Sequence, residues 1–576
     1  MNAPSPSLVS RSAASRLPRW VLWGFVLAYI LPGFLGREPW KDHDAVAFGV
    51  MHDMAMGLTS WWNPLLLGLP IEHTGWLHHW LGAAFIGLWP EQAQWMVKLP
   101  FMGLLFLTMV STWWSVYHLA RLPAAQPVSF AFGGEADPHD YARTLADAGL
   151  LALLACLGLA QLAHETSADA ARLAMVAVML MAASALTRPT INAPIRTTIF
   201  WVLGLMGLVL SGAPWMALVL SVALLGAAAW ARPKTPPQTW GPHVEQDMRP
   251  WRWAAVSSVL VLAVAWTFDL FQWPAIFVLN GSQDWAAFGR LLIWFSWPAW
   301  PLVLWSLWQW RQQWHSGHVL LPLIVITVML VATAMGAQRD RALLLALPAL
   351  ATLAAFALPT LRRSLSALVD WFTLLFFSAC ALLIWVVWLA MQTGWPAKTA
   401  NNVDRLAPGF EAPFSWILLI PAVLATVAWL ALLAWRVGRH TSVLWKSMVL
   451  PAAGATMSWL LLMTLWLPLI NHGMSHGPQS RAVFAAVTTP ERCVLIDGLP
   501  NAQTHALRTH TTLALQRNPG KLTPNGCATL LTSPHAHSTL HQRMDLSHWT
   551  YLATIKRLGR TRDDILVYSL NPEASR

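Results

Sequence analysis

The chain has 576 residues, of which 56% are hydrophobic and 11% charged, with 38 Trp and a mean hydropathy of +0.48; no soluble domain can hide that much apolar surface, so the bilayer must be the solvent for most of it. The net charge of +11 does not mark a nucleic-acid binder. Its basic residues fall mainly at the ends of apolar segments, not in a patch with interleaved aromatics.

At the N-terminus, Arg11, Arg16 and Arg19 precede an apolar stretch that runs into Arg37 with no small-residue cleavage pattern, which reads as a retained first helix. Apolar runs of spanning length follow at 20–36, 99–120, 147–163, 170–187, 198–212, 214–230, 252–268, 288–310, 318–336, 342–360, 367–393, 414–435 and 447–470, so about thirteen transmembrane helices are expected. Basic residues such as Arg19, Arg121, Arg188, Arg232, Arg311, Arg362 and Arg436 lie on alternate loops. By the positive-inside rule this orients a bacterial inner-membrane protein with its N-terminus cytoplasmic and its tail, from Asn471, periplasmic. The chain thus divides into a transmembrane domain, 1–470, and a C-terminal periplasmic domain, 471–576.

Between the first two spans, residues 37–98 are too polar to cross the membrane yet dense in Trp. Thr59–Leu67 and Trp76–Trp89 read as amphipathic helices lying in the interface. The loop opens on Arg37-Glu38-Pro39-Trp40-Lys41-Asp42-His43-Asp44. Asp42 and Asp44 could take a proton from a nucleophile or bind a divalent cation through hard oxygens; a hydrated loop with headgroup-level charges is the other reading. Glu72 and His73, with His78 and His79, could ligate a metal or be routine interfacial residues.

His164, Glu165 and Asp169 are pinned between two apolar runs. Ionisable groups so close to hydrocarbon suggest a polar cavity, with a tight turn as the alternative. Arg290, at the outer end of the eighth run, and Arg339 and Arg341, in an expected periplasmic hairpin Gln338–Arg341, stand where the topology rule disfavours cations. Their rigid forks suit phosphate oxygens, unless Asp340 compensates them.

Cys156 and Cys380 lie inside apolar runs as small hydrophobes, and Cys493 and Cys527 lie in the tail, where a disulfide is permitted but not required by spacing. No zinc-type Cys/His spacing occurs. In the tail, Cys493–Ile496 and Ile565–Tyr568 read as strands and His505–Gln516 as a helix. A small α/β domain follows from that alternation.

Taken in order, these features resemble the GT-C class of membrane glycosyltransferases, specifically the aminoarabinose transferase and protein O-mannosyltransferase group, a glycosyltransferase family 39-like set. The group carries an acidic pair soon after the first helix, matched by Arg37, Pro39 and Asp42-His43-Asp44. An interfacial motif with a Glu is matched loosely by Trp61-Trp62-Asn63-Pro64, Gly68 and Ile71 to Trp80, including Glu72. The entry to the second span is similar to Val97-Lys98-Leu99-Pro100-Phe101, and an outer Asp of the third helix corresponds to Asp169. Trp294–Trp305 resembles the group's Pro-Trp helix, and Gln338–Pro348 its later Pro-rich segment, with Arg339 or Arg341 in place of a lysine. Departures occur: the acidic pair appears as His43-Asp44 with Asp42 one place early, the Lys-Pro-Pro after Glu72 is missing, and Gly212-Ala213-Pro214 lacks the group's lysine.

The resemblance implies an inverting transfer of a sugar from a polyprenyl-phosphate carrier to a periplasmic lipid, glycan or protein, with membrane lipids and no nucleic acid as further partners. Asp44, or Asp42, would be the general base. Glu72, Asp169, Glu165 and His164 would shape the pocket, with a divalent metal ion left open. Arg339, Arg341, Arg290 and Lys41 would stabilise the departing phosphate. Two other classes compete: a transporter or flippase of a lipid-linked substrate, against which stands the absence of an internal repeat, and a non-catalytic envelope assembly protein.

Overall fold

The computed structural model describes residues 5–71, 75–188, 194–231, 249–271, 281–336, 338–438, 443–517, 527–540, 542, 544, 546–558 and 563–570. It divides into two units. The first comprises Met1–Phe34, Phe101–Leu383 and Ile417–Thr464; the second comprises Leu35–Pro100, Ile384–Trp416 and Leu465–Arg576.

The first unit is helical, and each apolar run expected from the sequence contains a helix or a bent helix pair. Among the described residues seven helices are long and apolar enough to cross a membrane, or eight with the bent pair counted as one, and Arg19–Phe34, Ile195–Leu210 and Pro214–Trp230 are shorter apolar helices. The break at Gly212-Ala213-Pro214 falls where expected: Pro214 opens its helix at the position where a missing N–H costs nothing. Helices rich in Ala and Leu, such as Ala168–Leu186, form the packed centre, whereas Trp416–Arg436 keeps nearly all of its apolar surface outward. A helix facing lipid has no reason to bury its leucines.

Three expected runs are cut differently. The run placed at 147–163 is a helix over Pro138–Ala155, capped at Asp137, whose side chain accepts from the backbone N–H of His139 and Asp140. Asp140, Arg143 and Asp147 in its first turns hide those turns from an apolar criterion. The run placed at 288–310 is two helices, Gln283–Phe295 and Ala299–Gln309, bent by 89°. Pro298 cannot continue the ladder. The carbonyls left at this break accept from the N–H groups just beyond the end of Pro138–Ala155: Gly158 N–H donates to Phe295 at 2.8 Å and Leu157 N–H to Trp297 at 3.2 Å. Each helix end thereby satisfies the other. The final run, placed at 447–470, stops at Leu465, and Leu467–Met474 is a separate short helix with Pro468 in its first turn.

In the second unit, the helix Asp42–Ala55 follows the acidic cluster. Thr59–Leu67 is not a helix. Asn63 precedes Pro64, which disfavours the α region, and Leu65–Leu66 (β1) pairs antiparallel with Leu69–Pro70 (β2) across a turn with positive φ at Leu67 and Gly68. Leu77–Leu88 is helical as expected. Its flanking indoles are tied back to the loop, Trp76 Nε1–H donating to the Trp62 carbonyl at 2.9 Å and Trp80 Nε1–H to that of Trp61 at 2.8 Å.

The tail forms a small α/β fold of β3 (Val494–Asp497), β4 (Leu515–Arg517), β5 (Thr529–Thr532), β6 (Trp549–Ile555) and β7 (Ile565–Leu570), in the order β4-β3-β5-β7-β6. β3 is parallel to both neighbours, and β7 is antiparallel to β5 and β6. β3 and β5, central in the sheet, are buried along their whole length, as strands covered on both faces are. The helix joining β3 to β4 is Asn501–His510, not His505–Gln516, because Leu515 and Gln516 pair in register with Val494 and Leu495. Cys493 and Cys527 form a disulfide between the starts of β3 and β5, their Cα atoms 4.5 Å apart.

Candidate functional site

The acidic cluster is built on the first turn of Asp42–Ala55, where carboxylates complement the helix dipole. Lys41 occupies the N-cap position and is half-buried. Asp44 is buried and meets Arg37 Nη2 at 3.5 Å, a pair of which both side chains are nearly inaccessible. The Arg37 guanidinium lies 4.3 Å from the centre of the Trp40 ring, and its carbonyl accepts from Lys98 Nζ at 2.7 Å. Asp44 thus sits beside the guanidinium of Arg37, a residue whose backbone carbonyl is held by Lys98.

Asp42 is the accessible member, with 51% of its side chain exposed. His476 Nε2 lies 3.3 Å from its Oδ1 and Arg557 Nη1 lies 3.5 Å away. Arg557 is in turn held by Asp563 at 2.8 Å. Asn471 Oδ1 accepts from Trp40 Nε1–H at 2.8 Å and from the Glu38 N–H at 3.2 Å, while its amide donates to the Gly36 carbonyl at 2.9 Å. Sequence reasoning missed Asn471, His476 and Arg557. They lie more than four hundred residues downstream of the loop they hold, and no spacing rule connects them.

In the helical unit, Arg341 is buried between two carboxylates, donating from Nη2 to Glu165 at 2.6 Å and from Nη1 to Asp169 at 2.7 Å. Asp169 also receives Arg172 at 3.0 Å, and Arg172 Nε–H donates to the Ser211 carbonyl at 2.9 Å. Glu165, Asp169 and Arg341 are therefore brought together as the sequence suggested, but the expected hairpin Gln338–Arg341 is the start of a helix, Arg339–Leu344. Asp340 receives the Arg341 backbone N–H at 3.0 Å, whereas the Arg341 guanidinium is held by the distant carboxylates. Arg339 is half-buried and faces Asp284 at 3.5 Å. His164 turns away from this network, its Nε2 3.1 Å from the Tyr29 carbonyl and its ring packed against Phe34 and Trp459. Arg290 is exposed on the helix Ser282–Phe295. Glu72 and His73 lie outside the described residues, His78 and His79 are buried side by side, and among the described residues no group of three or more His, Cys, Asp or Glu is arranged to hold a metal ion.

A multi-pass helical bundle, a Trp-rich loop after the first helix that opens on an acidic pair, and a small C-terminal sheet domain together define the GT-C class of membrane fold. Within it, the chain is similar to the aminoarabinose transferase ArnT from Cupriavidus metallidurans. With the crystal structure of that protein bound to undecaprenyl phosphate it shares 14% identity at a TM-score of 0.62, over 96% of this chain and 98% of that one. With the apo structure the values are 16% and 0.61, over 95% and 97%. At this identity the likeness establishes the fold. No protein-family profile matches the sequence, and no curated protein matches it.

Proposed function

We propose that the chain transfers a sugar from a polyprenyl-phosphate carrier to an acceptor on the periplasmic side of the inner membrane. One observation carries this reading: in a fold that in ArnT accommodates undecaprenyl phosphate, Asp42 and Asp44 open a helix beside Arg37 and Lys98. Asp44 is the general base that takes the proton of the acceptor hydroxyl as the new glycosidic bond forms and the bond to the lipid phosphate breaks. Asp42, the more accessible carboxylate, is the alternative. The departing polyprenyl phosphate needs no protonation, so a second carboxylic acid of the glycosidase kind is not required.

Direct contact with the phosphate is assigned to Lys41, which is not fully buried. Arg341, fully engaged by Glu165 and Asp169, keeps those carboxylates in place.

The test uses the purified chain, a panel of polyprenyl-phosphate-linked sugars, and release of free polyprenyl phosphate as the readout common to every donor. Asp44→Asn is expected to slow release by about 10²–10⁴-fold, with Asp42→Asn as the parallel variant. Wild-type rates in both variants would remove the pair from the mechanism. The bent pair Gln283–Phe295 and Ala299–Gln309 is a feature that transporters share. Movement of the donor across vesicles without release of polyprenyl phosphate would select transport instead.

A further inference from the structure

The helix Arg19–Phe34 is flanked by two apolar clefts that share one polar end. A cleft of about 280 Å³ on one side is walled by Leu22, Val26, Phe106 and Met109. A larger one of about 770 Å³ on the other is walled by Val21, Gly24, Ala28, Ala428 and Leu432. Arg16 and Leu17 line both. Arg19 and Arg143 line the smaller cleft.

The charges at this end do not cancel. Arg16 is paired with Asp140. Asp147 Oδ2 accepts from the Leu17 N–H at 3.2 Å and its Oδ1 from Trp113 Nε1–H at 2.9 Å. Arg19 and Arg143 enter no ion pair among the described residues. Nor is this end loosely held. The Ala136 N–H donates to the Val9 carbonyl at 3.0 Å, the Leu444 N–H to Ala13 at 3.1 Å, Thr144 Oγ1–H to Ala14 at 2.9 Å and Trp445 Nε1–H to Ser15 at 2.8 Å. The segment before the first helix is thereby sewn to three other parts of the helical unit, with its arginines in set positions.

Along the larger cleft the helix rises about 15 Å from Pro18 to Ala28, which is roughly the hydrocarbon depth of one leaflet. Two guanidinium groups outside any direct ion pair, at an end where Arg16, Arg19 and Arg143 outnumber Asp140 and Asp147, stand beside two apolar clefts and complement a lipid with an anionic head and two acyl chains. We propose that this end of the first helix is a binding site for an anionic diacyl phospholipid. Its phosphate meets Arg19 and Arg143, and one chain lies in each cleft. With the orientation assigned by the basic residues, the lipid belongs to the inner leaflet, and the site is separate from the glycosyl-transfer reading.

Native mass spectrometry of the purified full chain, titrated with dioleoyl phosphatidylglycerol or dioleoyl phosphatidylcholine, tests it. Phosphatidylglycerol should be retained in preference. Retention should weaken by about fivefold for each arginine removed, so by about 25-fold in Arg19→Gln with Arg143→Gln. Because removing Arg19 touches the charges that orient the first helix, Gly24→Phe provides a second variant that keeps every charge. A Cβ at Gly24 meets nothing within 4 Å, so the ring fills the larger cleft and should displace the lipid. Exposed Arg311→Gln should behave as wild type. Equal retention of the two lipids, or wild-type retention of phosphatidylglycerol by either the double arginine variant or Gly24→Phe, would overturn the assignment.

Discussion

Arg341 shows what a single residue contributes when it is buried between charges. Its side chain is 6% exposed and that of Glu165 is fully covered, so the pair persists because each partner satisfies the other's desolvation. Arg341→Ala should destabilise the helical unit by about 3–5 kcal/mol, since it strands a buried carboxylate. Arg341→Met combined with Glu165→Gln should recover much of that loss; thermal melting in detergent measures both, and a single variant as stable as wild type would contradict the buried-network description. His505 is a second residue whose surroundings set its behaviour. Buried, 3.7 Å from Asp53 and near Arg508, it has its pKa pushed down from 6.5 to about 4, chiefly by desolvation and only partly offset by Asp53. The unfolded tail therefore takes up a proton that the folded one refuses between about pH 6.5 and pH 4. Stability should be fully present above that window, fall as the pH drops through it, and level off below. Protease resistance of the tail across this range should show a shallower acid decline in His505→Gln, and identical profiles would count against the assignment.

At the scale of elements, the helix Asp42–Ala55 and the helix Asn501–His510 are packed face to face inside one unit. Gly49 permits their approach, because a Cβ there would lie 2.3 Å from the His505 ring, and Arg508 reaches Asp53 at 2.8 Å. The tail is thus part of the platform that presents Asp42, adding His476 and Arg557 to it. The disulfide acts on the same sheet domain. It closes a separation of 34 residues, which corresponds to about 2–4 kcal/mol of stabilisation. Cys493→Ser with Cys527→Ser should lower the melting temperature of the tail and shorten its survival under protease, whereas the same treatment with reductant should leave the double variant unchanged. A tail insensitive to both would mean that its core alone suffices.

For the whole molecule, the alternation of basic loops predicts a side for every connection. Alkaline phosphatase fusions after Gly409 and Leu570 should be active and those after Arg311 and Arg362 inactive. One reversal would shift the orientation of everything downstream of it. Much of this architecture was legible in the chain itself. Long apolar runs, the Gly212-Ala213-Pro214 break and the apolar stretches Cys493–Ile496 and Ile565–Tyr568 of the tail are local features, and local features are what composition and periodicity report. The breaks inside 288–310 and 147–163 were not legible, because two helix ends satisfy each other there across the bundle. Candidate residues divide in the same way: Asp42, Asp44, Glu165, Asp169 and Arg341 stand out as costly charges beside hydrocarbon. Only tertiary structure decided that Arg341 answers to Glu165 and Asp169 instead of Asp340, that His164 turns inward, and that Asn471, His476 and Arg557 hold the acidic loop. The physical reason is range: solvation cost is written residue by residue, whereas the partner that relieves it is chosen by a fold that joins positions far apart in the chain.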